Sequence, residues 1–252
     1  MSRCVVVTGG AKGVGRATVA RFVALGDRVI ALGRDEVALD ELLVGLHTGV
    51  TGELRALRCD VTDEAAVEAV FAELGPVDVL VNNAGVAVSA PLARTTLESW
   101  NHHLAVNATG GFLCTRAVLP SMRERGRGAI VTVASTVGRV GAPYTAAYTA
   151  SKHAAIGLMR AVAAEVAGSG VRANAVCPTF VDTPMTERSV ERIVEATGRS
   201  AQDSVSALAA GSPLGRLLDP QEVADAVVWL CSDAARSING QTVVLDGGGI
   251  QA

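Results

Sequence analysis

Short apolar runs rich in β-branched residues alternate along the chain with longer amphipathic stretches. Apolar runs bounded by turn residues predict buried strands, and apolar residues spaced three and four apart predict helices. Seven runs have the character of strands, at residues 4–7, 28–32, 54–57, 77–81, 129–134, 171–177 and 242–245. Strands that alternate with helices favour a parallel sheet covered by helices on both faces. No repeat or linker interrupts the pattern, so we expect one domain over residues 1–252.

Cap residues indicate where some of the predicted helices begin, and the apolar pattern alone indicates the others. The helix after the first strand has four apolar residues on one side, namely Val19, Phe22, Val23 and Leu25. Thr62 is the predicted N-cap of a helix over residues 64–74, and Asp219 that of a helix over residues 220–231. Further helices are expected at residues 36–48, at 97–125 as one helix or two joined, and at 146–167.

Residues 179–219 break this rhythm, and the segment is too long for a plain connection. It contains two predicted helices, at residues 187–196 and 201–210. The functional interpretation is a helical lid over a substrate, near residues 182–218. The structural alternative is a contact between subunits, and we favour the lid.

The composition excludes several classes of protein. Hydrophobic residues make up 49% of the chain and charged residues 19%, which excludes a disordered chain. A formal net charge of −3 gives no support to nucleic-acid binding. No apolar run reaches the length of about 18 residues that a membrane span needs, and the N-terminus lacks the features of a signal peptide. The five cysteines are dispersed, without zinc spacing, and predict reduced, buried thiols in a cytoplasmic protein that holds no metal.

A glycine-rich turn follows the first strand directly and opens the first helix. It contains Gly9, Gly13 and Gly15 with the spacing Gly-x-x-x-Gly-x-Gly. Glycines let the backbone approach a pyrophosphate closely, and a helix N-terminus supplies N–H donors and a positive dipole end. A glycine cluster by itself is often only a turn, but its place between a strand and a helix favours a dinucleotide site.

The end of the second strand bears on the choice of cofactor. Folds that bind NAD usually place an acid there to hold the ribose 2′-hydroxyl, whereas this sequence has Gly33 followed by Arg34. A guanidinium can grip a 2′-phosphate, and Lys12 in the glycine turn offers a second cation. We therefore expect a preference for NADP(H). The alternative is that both cations are solvated and that Asp35 makes the selection.

Tyr148 and Lys152 are four residues apart in a predicted helix and so project from the same face. A nearby ammonium favours the phenolate, and we expect it to lower the pKa of Tyr148 from its usual value of about 10 toward the working range. Ser135, at the end of the fifth strand, is placed to bond the same substrate oxygen. The alternative is an ordinary amphipathic pair. Asn107 lies among apolar residues, and the pattern leaves a structural and a functional role open.

Together these residues resemble the short-chain dehydrogenase/reductase family over essentially the whole chain. The matching pieces are Thr8-Gly9-x-x-x-Gly13-x-Gly15, Asp60-Val61, Asn82-Asn83-Ala84-Gly85, Asn107, Ser135, Tyr148-x-x-x-Lys152 and Asn174-x-Val176-x-Pro178. The resemblance implies a doubly wound Rossmann fold with a seven-stranded parallel sheet, a homotetramer or dimer, and an NADP(H)-dependent ketoreductase acting on a small-molecule ketone or alcohol.

The resemblance also implies a role for each matching residue. Tyr148 would be the general acid, Lys152 would tune it and hold the nicotinamide ribose, and Ser135 would polarise the substrate oxygen. Asn107 would hold a water of the proton relay. The remaining predicted cofactor contacts are Gly9, Lys12, Gly13, Val14, Gly15, Arg34, Asp60, Val61, Asn83, Ala84, Gly85, Pro178, Val181 and Thr183.

One departure from the family pattern is Thr179, where a glycine commonly follows the proline of the sixth strand. A β-branched residue narrows the backbone choices there and puts the contact at Val181 in question. Two other functions stay open. One is an NAD(H)-dependent 3-hydroxyacyl or secondary-alcohol dehydrogenase, and the other is a cofactor-binding regulator without chemistry, which the complete set of four catalytic residues disfavours.

Overall fold

The computed structural model describes residues 2–46 and 52–251. Its strands are β1 Cys4–Thr8, β2 Arg28–Gly33, β3 Glu53–Arg58, β4 Val79–Asn82, β5 Gly128–Val133, β6 Val171–Pro178 and β7 Thr242–Leu245. They form one sheet in the order β3-β2-β1-β4-β5-β6-β7, and every neighbouring pair is parallel. The predicted seven-stranded parallel sheet is confirmed.

Helices connect the strands. They are α1 Gly13–Ala24, α2 Glu36–Leu46, α3 Glu64–Leu74, α4 Leu97–Leu104, α5 Gly110–Glu124, α6 Ala146–Glu165, α7 Pro184–Thr197, α8 Ala201–Ala209 and α9 Pro220–Leu230. The last two residues of the helix predicted at 36–48 lie outside the described residues. The stretch predicted at 97–125 is α4 and α5 joined by a π-helical turn, Ala105–Thr109. None of the helices in the described ranges is long and apolar enough to cross a bilayer.

The alternation of side chains along the strands divides the core into two layers. In β1, Cys4 and Val6 belong to one cluster, which α3, α5 and α6 cover. Val5 and Val7 belong to the other, which α1, α2 and α9 cover. Successive side chains of a strand point to opposite faces. A run that is apolar at every position therefore fills both layers, as expected for a sheet with helices on both sides.

Two details of the predicted helices are wrong. Leu25 is 60% exposed because α1 ends before it, and only the other three residues of its predicted side are buried. Asp63 rather than Thr62 caps α3, accepting a hydrogen bond from the Ala66 amide at 3.1 Å. Thr62 instead donates its hydroxyl to the Asp60 carboxylate at 2.8 Å. Asp219 does cap α9, accepting from the Gln221 amide at 2.8 Å.

The strand order reverses between β1 and β4, because β2 and β3 lie on one side of β1 and the later strands on the other. In open α/β sheets, ligands bind at such a reversal, outside the carboxyl ends of the strands. The turn after β1 and the segment after β4 meet at this edge of the sheet. These are the two places where the sequence has its glycine turn and Asn82-Asn83-Ala84-Gly85.

Candidate active site

The backbone is packed tightly on itself in the turn between β1 and α1. Gly9 and Gly13 have φ values of +62° and +51°, a region that residues with a side chain rarely adopt. A Cβ on Gly15 would lie 2.1 Å from the Gly9 carbonyl oxygen. Helix α1 begins at Gly13 with no acidic residue in its first turn and no side-chain bond from its N-cap residue, Lys12. Such a helix end suits a phosphate group.

Asn83 fastens the segment after β4 to this turn. Its side-chain amide donates to the carbonyl oxygens of Thr8 at 2.9 Å and Gly9 at 3.1 Å. The Thr8 hydroxyl oxygen accepts in return from the backbone amides of Asn83 and Ala84, each at 3.0 Å. Both N–H groups of the Asn83 side chain therefore hold the protein together. Its predicted contact with the adenosine ribose stays a prediction.

Gly85 brings the backbone beside two of the predicted catalytic residues. A Cβ there would lie 3.2 Å from Asn107 Oδ1 and 3.5 Å from Lys152 Nζ. Asn107 is 6% exposed and lies in the π-helical turn, a feature that often marks functional sites. Its carboxamide accepts from the Val86 amide at 2.8 Å and donates to the Val86 carbonyl at 2.9 Å. It also donates to Ser151 Oγ at 2.8 Å, so both of its N–H groups are engaged. The role of Asn107 in holding a water stays a prediction.

Tyr148, Ser135 and Lys152 come together at the carboxyl end of β5. Tyr148 lies in the first turn of α6, and Lys152 follows one turn later with its Nζ 5.7 Å from the centre of the Tyr148 ring. Lys152 is 5% exposed and donates to the Val133 carbonyl at 2.9 Å. Ser135 lies just beyond β5, where its hydroxyl donates to the Pro178 carbonyl at 3.5 Å and acts on the phenol to lower the pKa of Tyr148. The predicted trio therefore forms one cluster.

The pKa of Tyr148 in this cluster differs from the one predicted. Burial raises the pKa of Tyr148 to about 12, with the Ser135 hydrogen bond acting in the opposite direction. Burial also lowers the pKa of Lys152 to about 8. The prediction that Lys152 brings the pKa of Tyr148 below its usual value is therefore wrong for this arrangement. The physical reason is that a poorly solvated site disfavours the phenolate and the ammonium alike. Tyr148 consequently keeps its proton throughout the neutral range.

The cations predicted to select the cofactor are each paired with a carboxylate. Lys12 Nζ lies 2.6 Å from Asp35 Oδ2, and Arg34 Nη1 lies 3.6 Å from Asp60 Oδ2. The hydrogen bond from Lys12 lowers the pKa of Asp35. The side chains of Lys12 and Arg34 are each 55% exposed. Exposed ion pairs of this kind contribute only about 0–1 kcal/mol to stability. Little free energy is therefore lost when either cation leaves its carboxylate to bind another anion.

Thr179 lies at a bend directly after β6. Its amide donates to the Leu245 carbonyl at 3.0 Å, which continues the pairing between β6 and β7 beyond Pro178. Val181 is 8% exposed and forms an isolated bridge with Leu218. A Cβ on Gly13 would lie 3.0 Å from Thr183 Cγ2, so the start of α7 packs against the glycine turn.

Comparison with known proteins agrees with this geometry. A family model described as enoyl-(acyl carrier protein) reductase, of the short-chain dehydrogenase/reductase family, matches residues 9–249. The chain is 39% identical to 2-(R)-hydroxypropyl-CoM dehydrogenase of Xanthobacter autotrophicus over 98% of each chain. It is 38% identical to 3-oxoacyl-[acyl-carrier-protein] reductase of Thermotoga maritima over 96% of each. The chain belongs to the short-chain dehydrogenase/reductase family.

A solved structure in the same family shares the whole architecture. A single-residue variant of actinorhodin polyketide ketoreductase, solved with NADPH, superposes with a TM-score of 0.92 at 37% identity, covering 98% of this chain and 97% of that one. Levodione reductase superposes with a TM-score of 0.91 at 33% identity, covering 98% and 96%. The fold predicted from the motifs is therefore confirmed.

In this family member, the predicted site residues fall into three groups along the carboxyl edge of the sheet. Gly9, Gly13, Val14, Gly15, Asn83, Ala84 and Gly85 surround the reversal point, and Lys12, Arg34 and Asp60 follow β1, β2 and β3 and take part in ion pairs there. Asn107, Ser135, Tyr148 and Lys152 lie beyond β4 and β5. Val61 packs against Gly110, where a Cβ would lie 2.6 Å from Val61 Cγ2.

Sequence reasoning missed one residue that touches the cluster. His103 is completely buried in α4, and its ring meets that of Tyr148 edge-on, with centroids 6.3 Å apart and planes at 68°. From the sequence we gave His103 no role. The signal available was a histidine placed four residues before Asn107, on the side of α4 that becomes buried.

Proposed function

We propose that this chain is an NADP(H)-dependent ketoreductase, which reduces a ketone to a secondary alcohol with Tyr148 as general acid. The observation that carries the proposal is the cluster of Tyr148, Ser135 and buried Lys152, at the same sheet edge as the glycine turn. A donor hydroxyl, a second hydroxyl that orients it and a neighbouring cation are what proton delivery to a carbonyl oxygen requires.

The residues present fit a nicotinamide dinucleotide. The glycine turn leaves no space for a Cβ at Gly15, and the first turn of α1 has no acidic side chain to repel a pyrophosphate. Gly9, Gly13, Val14 and Gly15 would hold the pyrophosphate, and Asp60 with Val61 would hold the adenine. Tyr148 and Lys152 would hold the ribose at the nicotinamide end, with Val181 at the carboxamide. When bound, the cofactor supplies the hydride, and the protein supplies position and a proton.

Tyr148 is suited to give a proton rather than to take one. With a pKa of about 12 it is fully protonated at neutral pH. Ser135 orients the substrate oxygen toward the phenol, where negative charge grows as the carbonyl is reduced. Lys152, with a pKa of about 8, is mostly protonated at pH 7, and its positive charge favours the phenolate that remains after transfer. This balance favours reduction over oxidation near neutral pH.

A preference for the phosphorylated cofactor rests on Lys12 and Arg34. Each is half-exposed, Arg34 at the end of β2 and Lys12 in the glycine turn, and among the described residues each forms one surface ion pair. A 2′-phosphate carries more charge than either carboxylate and would recruit both cations. The alternative is selection by Asp35 for the NAD ribose.

Three variants separate the two cofactor hypotheses. Arg34→Ala is expected to raise the KM for NADPH by about tenfold or more and to leave that for NADH nearly unchanged, as expected for loss of a charge-assisted contact. Asp35→Asn removes the carboxylate and is expected to leave NADPH turnover intact. Lys12→Ala should resemble Arg34→Ala. The alternative would be favoured if the wild type turned over faster with NADH than with NADPH and if Asp35→Asn lost that difference.

The substrate class follows from the rim of the crevice. Large apolar side chains are exposed after three neighbouring strands: Val88 at 43%, Tyr144 at 66% and Phe180 at 42%. They favour a ketone with an apolar body. The relatives include proteins named granaticin polyketide synthase putative ketoacyl reductase 1, of Streptomyces violaceoruber, and putative ketoacyl reductase, of Streptomyces coelicolor, which supports a 3-oxoacyl, polyketide-like or aryl ketone.

We assign the lid to residues near 182–218, in the single domain 1–252. Helix α7 has Val190 buried against the body, and Arg192 Nη1 donates to the Ala87 carbonyl at 3.2 Å. The segment therefore reaches across to the rim of the crevice. Removing the Arg192 contact with Arg192→Ala should change the KM for ketone more than that for NADPH.

A homotetramer, or a dimer, is the proposed assembly. A surface groove of about 560 Å³ runs between α5 and α6 and is lined by apolar parts of Phe112, Leu119, Ala161 and Val162. Phe112 is 42% exposed there, which suits a helix pair from a second copy. Light scattering tests the assembly.

All five cysteines are free and buried, which supports the proposed cytoplasmic location.

The proposed function is tested with purified protein, NADPH or NADH, and a panel of β-keto esters, aryl ketones and acyl thioesters. We expect consumption of NADPH with an apolar ketone and an alcohol product. Faster turnover with NAD⁺ and secondary alcohols near neutral pH would support the dehydrogenase alternative. NADPH binding without turnover on the whole panel would support a regulatory protein.

A further inference from the structure

Residues 86–90, which follow Gly85, are anchored at four points to four different parts of the molecule. Asn107 bonds both the amide and the carbonyl of Val86. Arg192 of α7 bonds the carbonyl of Ala87, and the Tyr144 carbonyl accepts from the Ala90 amide at 2.8 Å. The fourth anchor is His103. The segment thus connects the π-helical turn, the lid, α4 and the loop before α6, and it forms part of the rim of the crevice.

The bonds of His103 determine its tautomer. The Val88 amide donates to His103 Nε2 at 3.0 Å, so Nε2 is an acceptor and carries no proton. The proton is therefore on Nδ1, which lies 2.7 Å from the Ser99 carbonyl and donates to it. Both ring nitrogens are used, and the ring has no exposed surface. A neutral imidazole in this one tautomer satisfies both partners.

The same ring supports Tyr148. The two rings meet edge-on at 6.3 Å, a geometry that aromatic pairs prefer. Tyr148 also has the Lys152 ammonium near its ring and the Ser135 hydroxyl at its phenol. His103 therefore contacts the proton donor and the Val88 amide of the rim at once. A side chain that only filled the core would need neither bond.

We propose that His103 is a positioning residue that fixes the Tyr148 ring and the 86–90 segment relative to one another. This proposal rests on the proposed function, because its consequence is the placement of the ketone between phenol and rim. Loss of the Val88 bond lets the segment shift at that point, although its other three anchors remain, and displaces the substrate from the phenol. Small displacements from the reacting geometry lower the rate substantially. Gly9, Gly13 and Gly15, which would hold the pyrophosphate, lie in the turn after β1 and not in the 86–90 segment, so most of the NADPH affinity is expected to remain.

Matched variants separate the hydrogen bond from simple packing. His103→Leu removes both bonds and keeps an apolar filler. His103→Gln places a side-chain acceptor near the position of Nε2, and His103→Asn places a donor near Nδ1 without that acceptor. His102→Leu, on the exposed side of the same helix, is the control. Each variant is compared by hydrogen exchange at the Val88 amide, by NADPH affinity, and by kcat and KM for the ketone.

We expect His103→Leu and His103→Asn to speed exchange at Val88 and to lower kcat/KM for the ketone, each by about tenfold or more, the order of one lost buried hydrogen bond. His103→Gln should restore much of both, and NADPH affinity should stay within about twofold throughout. His102→Leu should match the wild type. If His103→Leu does not fold, the comparison of His103→Gln with His103→Asn tests the proposal.

The proposal is overturned if His103→Leu leaves exchange at Val88 and kcat/KM unchanged, or if Gln behaves no better than Asn. Failure of the proposed function gives a different result. If the wild type reduces no ketone, the kinetic comparison cannot be made. Hydrogen exchange at the Val88 amide still tests the bond between that amide and His103. Tyr148→Phe should slow the chemical step by about 100-fold or more and leave exchange at Val88 as in the wild type.

Discussion

Gly15 offers a sharp test of the glycine turn as the pyrophosphate cradle. In Gly15→Ala the new methyl would lie 2.1 Å from the Gly9 carbonyl oxygen and 2.6 Å from Asn83 Nδ2. Real Cβ atoms essentially never come closer than 3.0 Å to such atoms, so the turn and α1 must separate by about 0.9 Å, the difference between 3.0 and 2.1 Å. The nearest atom is backbone and cannot rotate away.

The expected losses follow from this displacement. Overpacking of this kind costs about 1–3 kcal/mol of unfolding free energy. A shift of about 1 Å at bound reactants costs about 100-fold in rate, so kcat/KM for NADPH should fall by about that factor. Urea unfolding gives the first quantity, and NADPH fluorescence titration with steady-state kinetics gives the second.

Variants of two other glycines separate a general loss of stability from a specific loss of NADPH binding. Gly128→Ala, at the opposite end of β5, places a methyl 2.5 Å from Met122 Sδ, and should lose stability without losing NADPH affinity. Gly157→Ala, inside α6, meets nothing within 4 Å, and should gain about 0.5–1 kcal/mol of stability. NADPH affinity in Gly15→Ala equal to that of Gly128→Ala would refute the role of the turn.

Three further predictions concern pH and stability. The rate of ketone reduction should fall above pH 8 as Lys152, with its pKa of about 8, loses the charge that favours the phenolate, and a pH–rate profile that stays flat to about pH 10 would contradict this. Burial raises the pKa of Cys114 from 9.0 to about 12, so its contribution to stability is complete below pH 9 and is lost as pH rises toward 12, at up to about 1.4 kcal/mol per pH unit. Urea unfolding of Cys114→Ala at about pH 8 and pH 10.5 should therefore show a smaller alkaline loss than the wild type, and an equal loss would contradict this. Asp219→Ala should lower the unfolding free energy by about 1 kcal/mol through loss of the α9 cap, and an unchanged urea midpoint would contradict it.

The sheet was predictable because several of its strands, β1 above all, are apolar at nearly every position. A run such as 4–7 must fill both core layers, and no other element of that length does so. Helix starts were predictable where a single cap residue was available, as at Asp219. At α3 the predicted cap was Thr62, but its hydroxyl bonds Asp60 and the next residue, Asp63, caps the helix, which no local pattern reveals.

The candidate site was predictable in its membership and less so in its electrostatics. Spacing places Lys152 one turn from Tyr148, but the pKa of each depends on burial, which only the packed structure determines. Similarly, the pairing of Lys12 with Asp35 joins two loops that are distant in sequence. His103 was missed because its partners, Val88 and Tyr148, come from two other segments of the chain.

The most direct test of the account is single-turnover reduction of an apolar ketone by Tyr148→Phe, with NADPH affinity measured on the same sample. Removing the phenol hydroxyl deletes the proton donor and keeps the ring. We expect the chemical step to slow by about 100-fold or more, the usual contribution of a general acid, with NADPH affinity changed by no more than a few-fold. A Tyr148→Phe protein that reduces the ketone at the wild-type rate would contradict the account.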